Sequence, residues 1–217
     1  MFRRQIVVVE NESLLRDLLA KALEAAGFAV TTAANASDAR RAIAAVDPDA
    51  MVVDIELGPG PSGFDLVESL QNEDYDLGIV FLTNLPDPRF AGRDALSVRK
   101  NIGYLRKSQL IESGELADAL EAVLKERAGA EHRHDLAADR PLGNLSRKQI
   151  GVLKMLSDGM TNSQIADVRG TTVRAVEGII SRIFDALGID PSAEGNARVE
   201  ASRRYLQATA QDQFSIE

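Results

Sequence analysis

The chain has 217 residues, 45% of them hydrophobic, and a formal net charge of −8 at pH 7, which predicts two globular domains with buried cores. It has no cysteine, so a disulfide framework and a thiolate metal site are excluded. Because no apolar run approaches the ~20 residues that cross a bilayer and the first residues lead directly into a strand pattern, we expect a cytoplasmic protein without membrane association.

Short apolar strands alternate with helical patterns over residues 1–127, and this alternation predicts a doubly wound α/β domain with a five-stranded parallel sheet. Two prolines, Pro86 and Pro88, follow the fourth strand, so the next helix should start late or be distorted. The predicted strands are Gln5–Val9, Phe28–Thr32, Ala50–Val53, Ile79–Leu82 and Ile102–Arg106, and the predicted helices are Leu14–Leu23, Ser37–Val46, Phe64–Leu70 and Gln109–Arg127.

Polar side chains stand at the ends of four of these strands. Glu10 and Asn11 follow the first strand, Asp54 follows the third, Thr83 ends the fourth and Lys107 follows the fifth. The carboxyl ends of parallel strands form one crevice, so we expect these side chains to converge. The acids can hold a divalent cation, the hydroxyl can bond a phosphoryl oxygen, and the ammonium can neutralise the remaining charge. The set predicts formation of an aspartyl phosphate.

Residues 1–127 resemble the receiver domain of bacterial two-component response regulators, which implies a flavodoxin-like fold. The resemblance implies that Asp54 is the phosphoacceptor, Thr83 the switch hydroxyl, Tyr104 the switch aromatic residue and Lys107 the phosphate-binding lysine. It also implies a Mg²⁺ site, whose ligands would be Glu10, Asn11, Asp54 and the backbone carbonyl of Glu56.

Three positions depart from the receiver pattern. Asn11 replaces an acid that usually binds the metal, so the site loses one negative charge and its affinity for Mg²⁺ should be low. Asn84 stands where the family prefers a small residue beside the phosphoryl group. Ser108 replaces the proline that usually follows the lysine.

The run from Gly58 to Gly63 lacks the lysine of a phosphate-binding P-loop and is interpreted as a turn at the rim of the site.

Residues 128–143 have no sustained apolar period and are interpreted as a linker. His132 and His134 lie in this stretch, but two histidines without nearby partner ligands are expected to be solvated rather than to bind a metal.

Residues 144–217 are helical throughout. Ser146 and Gln149 form a capping-box pattern before one helix, and Thr172 can cap a later one. Two short helices separated by a turn are typical of a DNA-reading layout.

Leu145–Ile189 resembles the DNA-binding domain of LuxR-type response regulators, through Leu145-Ser146, the Gly159–Ala166 turn motif and the helix that Gly188 closes. The resemblance implies a four-helix domain whose last helix, near residues 196–207, often mediates dimerisation. The predicted DNA-binding residues are Arg169, Thr172, Arg174, Glu177, Ser181 and Arg182.

The net charge of the second domain sets a limit on this interpretation. Residues 145–217 carry nine basic and nine acidic side chains, whereas residues 1–127 carry 14 basic and 21 acidic ones. Any DNA contact must therefore come from a local patch of positive charge. Glu177 lowers the positive charge of that patch, so the affinity for DNA should be modest and sensitive to salt.

Three hypotheses follow. In the first, a sensor histidine kinase phosphorylates Asp54 and a homodimer binds promoter DNA. In the second, the chain is an atypical, phosphorylation-independent regulator that acts through protein–protein interaction or constitutive DNA binding. A hydrolase with Asp54 as nucleophile is disfavoured, because no second acid is placed as a general base, so we predict that the chain is not an enzyme.

Overall fold

The computed structural model describes residues 3–73, 75–94, 101–109, 113–192 and 196–209. The chain divides into two compact units. The first combines Met1–Asn84 with Val98–Leu136, and the second combines Leu85–Ser97 with Ala137–Glu217. The described part of the first unit is α/β, and that of the second is helical.

The first unit contains a five-stranded parallel sheet in the order β2-β1-β3-β4-β5, which confirms the predicted fold. The continuous apolar runs of β1 and β3 are buried because helices cover both faces of the sheet. The strands are β1 (Gln5–Val9), β2 (Ala29–Ala33), β3 (Ala50–Val53), β4 (Gly78–Thr83) and β5 (Ile102–Arg106).

Four α-helices flank this sheet within the described ranges. Asn35 caps the second helix, and a Ser62–Asp65 capping box begins the third. The helix predicted from Gln109 begins at Ser113, while residues 110–112 lie outside the described ranges. The helices are α1 (Ser13–Ala25), α2 (Ala36–Val46), α3 (Gly63–Asn72) and α4 (Ser113–Leu124).

The connection that follows β4 contains no α-helix in its described part, residues 84–94. It forms a single 3-10 turn, Pro88–Ala91, which Asp87 caps. This agrees with the expected effect of the two prolines on the helix, and residues 95–100 of that connection lie outside the described ranges.

Residues 128–136 of the predicted linker group with the first unit and pack along β5. Arg133 pairs with Tyr104 in a parallel bridge. The Nδ1 atom of His134 accepts a hydrogen bond from the backbone N–H of Arg106 at 3.1 Å, and its Nε2 atom lies 3.0 Å from a carboxylate oxygen of Glu115.

The expectation of solvated histidines is therefore wrong, because both side chains pack in this segment and are only 15% exposed. In the parts of the chain that the structure describes, no group of three or more His, Cys, Asp or Glu residues could hold a metal.

The second unit contains four helices in its described part, as predicted: α5 (Arg147–Ser157), α6 (Asn162–Arg169), α7 (Val173–Leu187) and α8 (Ala197–Thr209). Capping boxes at Ser146 and Thr161 begin α5 and α6, and Thr172 caps α7. Gly170 and Gly188 end α6 and α7 with positive φ values of 60° and 64°. None of the described helices is long and apolar enough to span a membrane.

Candidate functional site

Lys107 joins two acids at the carboxyl edge of the sheet. Its Nζ atom lies 2.8 Å from Oδ2 of Asp54 and 2.7 Å from Oε2 of Glu10. All three side chains are buried, with exposed fractions of 9% or less. The parallel register brings the ends of β1, β3 and β5 to one edge, so residues separated by as many as 97 positions in the numbering meet at one ammonium group.

The Lys107 ammonium is charged at neutral pH. Burial lowers the pKa of Lys107, but the carboxylates of Asp54 and Glu10 outweigh that effect and hold the pKa above its ordinary value. A permanent cation therefore stands beside the Asp54 carboxylate, where it can balance negative charge on a bound group.

Backbone groups fix the orientation of both acids. The N–H of Glu56 donates to Oδ1 of Asp54 at 3.2 Å, and the N–H of Glu12 donates to Oε1 of Glu10 at 3.1 Å. Arg16 reaches back from α1 and donates to the backbone carbonyl of Glu10 at 2.6 Å. Each carboxylate oxygen of Asp54 and Glu10 therefore has a hydrogen-bond donor, and neither side chain can rotate without losing a hydrogen bond.

Gly63 allows the first turn of α3 to touch the backbone of Asp54. A Cβ atom at this position would lie 2.1 Å from the carbonyl oxygen of Asp54. The Gly63 N–H also donates to the carbonyl of Ile55 at 2.9 Å. Sequence reasoning placed the glycine run at the rim of the site but missed this contact, because only the folded backbone shows how closely α3 approaches.

The two predicted switch residues are fully buried. Thr83 is the last residue of β4, and its exposed fraction is 0%. Tyr104 on β5 is also 0% exposed, and its ring centroid lies 6.2 Å from that of Phe81. The structure thus places Tyr104 inside the first unit, beside the segment that carries Arg133.

The remaining predicted metal ligands lie at the exposed rim. Asn11 and Glu56 are both exposed, and a Cβ atom on Gly58 would lie 3.8 Å from Nδ2 of Asn11. Two carboxylates, a side-chain amide and a backbone carbonyl form an all-oxygen donor set, which suits a hard cation such as Mg²⁺. The chemistry of these donor groups therefore suits Mg²⁺, although the Lys107 ammonium already neutralises part of the negative charge of the Glu10 and Asp54 carboxylates.

In the second unit, α7 turns its polar side to solvent. Arg174, Glu177, Ser181 and Arg182 are exposed, whereas the apolar residues of the opposite side are buried. Thr172 is exposed at the start of the helix, and its side chain accepts a hydrogen bond from Ala175 N–H at 3.2 Å.

Three cations line a pocket beside this helix: Lys148, Arg169 and Arg182. No carboxylate in the described residues forms an ion pair with any of them. Lys148 was not among the predicted residues, because nothing in the sequence shows that the start of α5 lies beside α6 and α7. The other residues that line the pocket are Ser146, Gln149, Gly170, Thr171 and Ile179.

Other arginines of this unit serve its internal structure. Arg203 and Arg204 form ion pairs with Glu200, and Arg204 also donates to the backbone carbonyl of Leu187. Arg198 donates to Oδ1 of Asn162 at 2.8 Å. Lys148, Arg169 and Arg182, which have no ion pair among the described residues, therefore differ from these arginines in being available at the pocket beside α7.

The first unit is a doubly wound domain with a buried aspartate and a buried lysine at the carboxyl edge of its parallel sheet. The sequence pattern of the response regulator receiver domain matches residues 6–121, and the chain belongs to that family. Receiver domains generally bind Mg²⁺ at their phosphorylation site.

Curated relatives extend the similarity over both units. The chain is 32% identical over 171 residues to the DNA-binding transcriptional activator DevR/DosR of Mycobacterium tuberculosis, covering 74% of this chain and 76% of the relative. It is 25% identical over 218 residues to the transcriptional regulatory protein LiaR of Bacillus subtilis, covering 93% and 98%.

Among solved structures, a complex of the two-component response regulator RcsB with DNA is similar in fold. The TM-score is 0.57 at 17% identity, and the similarity covers 96% of this chain and 100% of RcsB.

Proposed function

We propose that the chain is a two-component response regulator, in which phosphorylation of Asp54 by a sensor histidine kinase controls the binding of promoter DNA. The observation that carries the proposal is the Lys107 ammonium, which lies 2.8 Å from a buried Asp54 carboxylate at the carboxyl edge of the sheet. The relatives over both units are transcription regulators, which supports regulation rather than catalysis as the role. We also propose that the protein acts in the cytoplasm.

The chemical step is transfer of a phosphoryl group to a carboxylate oxygen of Asp54. A new O–P bond forms as the N–P bond of the phosphohistidine donor breaks, and the histidine nitrogen keeps the electron pair and takes up a proton. Lys107 stays protonated and balances the developing negative charge, while Glu56 N–H holds the other carboxylate oxygen.

Mg²⁺ is the proposed cofactor, with Glu10, Asn11, Asp54 and the carbonyl of Glu56 as ligands. When bound, the metal would neutralise charge on the phosphoryl oxygens. Asn11 supplies an amide where an acid would add a full negative charge, so the affinity for Mg²⁺ should be weak before phosphorylation.

The proposed output is DNA binding through α7. Arg174, Glu177, Ser181 and Arg182 are exposed on that helix and can face a groove, while Arg169 and Thr172 at the turn before it can face phosphates. Lys148 joins Arg169 and Arg182 in one pocket and is a further phosphate contact. A homodimer would place two such helices on two half-sites, and dimers on DNA are described for RcsB.

A second candidate is regulation without phosphorylation. It is favoured by one observation: the internal cation Lys107 already binds both Glu10 and Asp54, so the site is held together without any added group. Titration of the whole protein with Mg²⁺ distinguishes the two candidate functions, because a regulator that is not phosphorylated should show no saturable binding of Mg²⁺.

The direct test uses a small phosphodonor with Mg²⁺ and measures the mass added to the protein. The unmodified chain should gain one phosphoryl group, and Asp54→Asn should gain none. Asp17→Asn is the matched control, since Asp17 is an exposed acid on α1. Labelling of Asp54→Asn at the normal rate would refute the assignment.

A mobility shift with genomic fragments, with and without beryllofluoride, tests the DNA-binding half.

A further inference from the structure

Arg16 binds the backbone of the two residues that supply the first pair of proposed Mg²⁺ ligands. Its Nη1 atom donates to the carbonyl of Glu10 at 2.6 Å and to the carbonyl of Asn11 at 3.3 Å. Arg16 is the fourth residue of α1 and is partly buried, and its side chain reaches back from the helix to the end of β1. One nitrogen atom therefore holds the loop that carries both ligand side chains.

The start of α1 lacks the features that usually stabilise the first turn of a helix. Glu12 is the N-cap residue, but its side chain makes no capping hydrogen bond, and no acidic residue lies in the first turn. Acids are favoured there because the free N–H groups make that end of a helix positive, and a cation is disfavoured for the same reason. Arg16 nevertheless lies at that end. A residue that opposes its local structure is expected where function requires it.

The loop does not hold its two ligand side chains equally. The carboxylate of Glu10 is buried, and it accepts from the Glu12 N–H at 3.1 Å and from the Lys107 ammonium at 2.7 Å. Asn11 is exposed, and its carbonyl accepts the hydrogen bond from Arg16. The side chain of Asn11 therefore depends on the loop backbone for its position, and Arg16 binds that backbone.

The orientation of the ligands matters more in this site than in one with a third acid. Asn11 supplies a neutral amide, and Lys107 already neutralises part of the charge of Glu10 and Asp54. A metal that is attracted by less charge depends more on ligands that are already oriented. Groups that orient the ligands without touching the metal typically change its affinity by about 10- to 100-fold.

We propose that Arg16 is a positioning residue for the Mg²⁺ site, which holds the backbone of Glu10 and Asn11 so that both side chains are presented together at the carboxyl edge of the sheet. The inference rests on the proposed function, because Mg²⁺ binding belongs to that proposal. The Arg16 guanidinium also repels a divalent cation, and this effect has the opposite sign. Solvent screens that repulsion at the exposed rim of the site, so positioning is the larger effect.

A titration of the intact, ¹⁵N-labelled protein with magnesium chloride tests the inference through the backbone amide signals of Asn11 and Glu56. Arg16→Met removes both hydrogen bonds and the charge, and it should weaken Mg²⁺ binding at least about tenfold. Arg16→Lys should keep the affinity within about threefold, because both hydrogen bonds come from one nitrogen that an ammonium can replace. Lys21→Met is the matched control, since it removes an exposed cation further along α1 and should leave the affinity unchanged.

Labelling by a small phosphodonor gives a second readout. In Arg16→Met, the Mg²⁺ concentration that supports half of the maximal labelling rate should rise by the same factor as the dissociation constant. A misfolded site would instead lose rate at every Mg²⁺ concentration, and thermal melts of the variants report on folding separately.

Equal or tighter Mg²⁺ binding by Arg16→Met would overturn the inference, because the hydrogen bonds to the loop would then contribute nothing to the affinity. An equal loss of affinity in Lys21→Met would also overturn it, because the loss would not depend on the loop. Absence of any Mg²⁺-dependent shift in the unmodified chain would refute the proposed metal site itself, and the inference with it.

Discussion

Gly63→Ala should slow phosphorylation of Asp54 without removing any reacting group. The added methyl carbon would lie 2.1 Å from the Asp54 carbonyl oxygen, whereas ordinary van der Waals contact begins at 3.4 Å. The carbonyl belongs to the backbone and cannot swing away as a flexible side chain would. The end of β3 or the start of α3 must therefore move by about 1 Å, and misplacement of a reacting group by that distance costs about a hundredfold in rate.

The assay is the initial rate of labelling by a small phosphodonor at saturating Mg²⁺. Gly114→Ala is the matched control, because a Cβ at that helical position meets nothing within 4 Å and alanine favours a helix by roughly 1 kcal/mol over glycine. The control should label at the normal rate and unfold at a slightly higher temperature. A Gly63→Ala protein that is folded and labels within threefold of the unmodified chain would refute the reasoning.

The other predictions concern the ion pair, the cation pocket and a helix cap. Lys107→Met should lower the free energy of unfolding at pH 7 by about 3–5 kcal/mol in urea titrations, because two buried acids lose their counterion. Since the folded-state pKa of Lys107 is raised above 10.5, the difference in unfolding free energy should keep its full size from pH 7 up to about pH 10.5 and shrink above that pH; a difference that stays constant at higher pH would contradict the assignment. Lys148→Ala and Arg169→Ala should each weaken DNA binding across sequences and reduce the dependence of log K on log salt concentration by about 1, whereas Lys154→Ala should change neither; equal salt dependence in all three variants would exclude the pocket from the DNA interface. Thr172→Ala should destabilise the second unit by about 1 kcal/mol in thermal melts while Thr172→Ser does not, and an unaltered melt for both would show that the cap is dispensable.

Local and periodic features could be predicted from the sequence because their causes lie within a few residues. The strands Gln5–Val9 and Ala50–Val53 are continuous apolar runs, as strands covered on both faces should be. Ser146 and Thr172 bond to backbone groups only three residues away. Even the meeting of Lys107 with Asp54 follows from one topological rule, that the carboxyl ends of parallel strands share an edge.

Features that depend on distant packing could not be predicted in this way. The buried pair of Asp87 and Arg89 was not predicted, since nothing in the local sequence reveals that the carbonyl of Leu145 accepts from the same guanidinium. His134 looked solvated because its partner, the N–H of Arg106, belongs to a strand 28 residues earlier. In both cases the polar residue is held by a backbone group whose availability depends on tertiary structure.

The charge at the carboxyl edge of the sheet bears on the proposed Mg²⁺ site, in which Asn11 replaces an acid. Before modification, the carboxylates of Glu10 and Asp54 share the single charge of Lys107, which leaves a net charge of about −1 and a weak attraction for a divalent cation. Phosphorylation would replace the Asp54 charge with about −1.5 to −2, so the same three groups would then carry about −1.5 to −2 in total. Lys107 cannot balance that excess while it also pairs with Glu10. Under the proposed function, the phosphorylated site should therefore attract Mg²⁺ more strongly than the free site, and by linkage the metal should favour the phosphorylated form by the same factor.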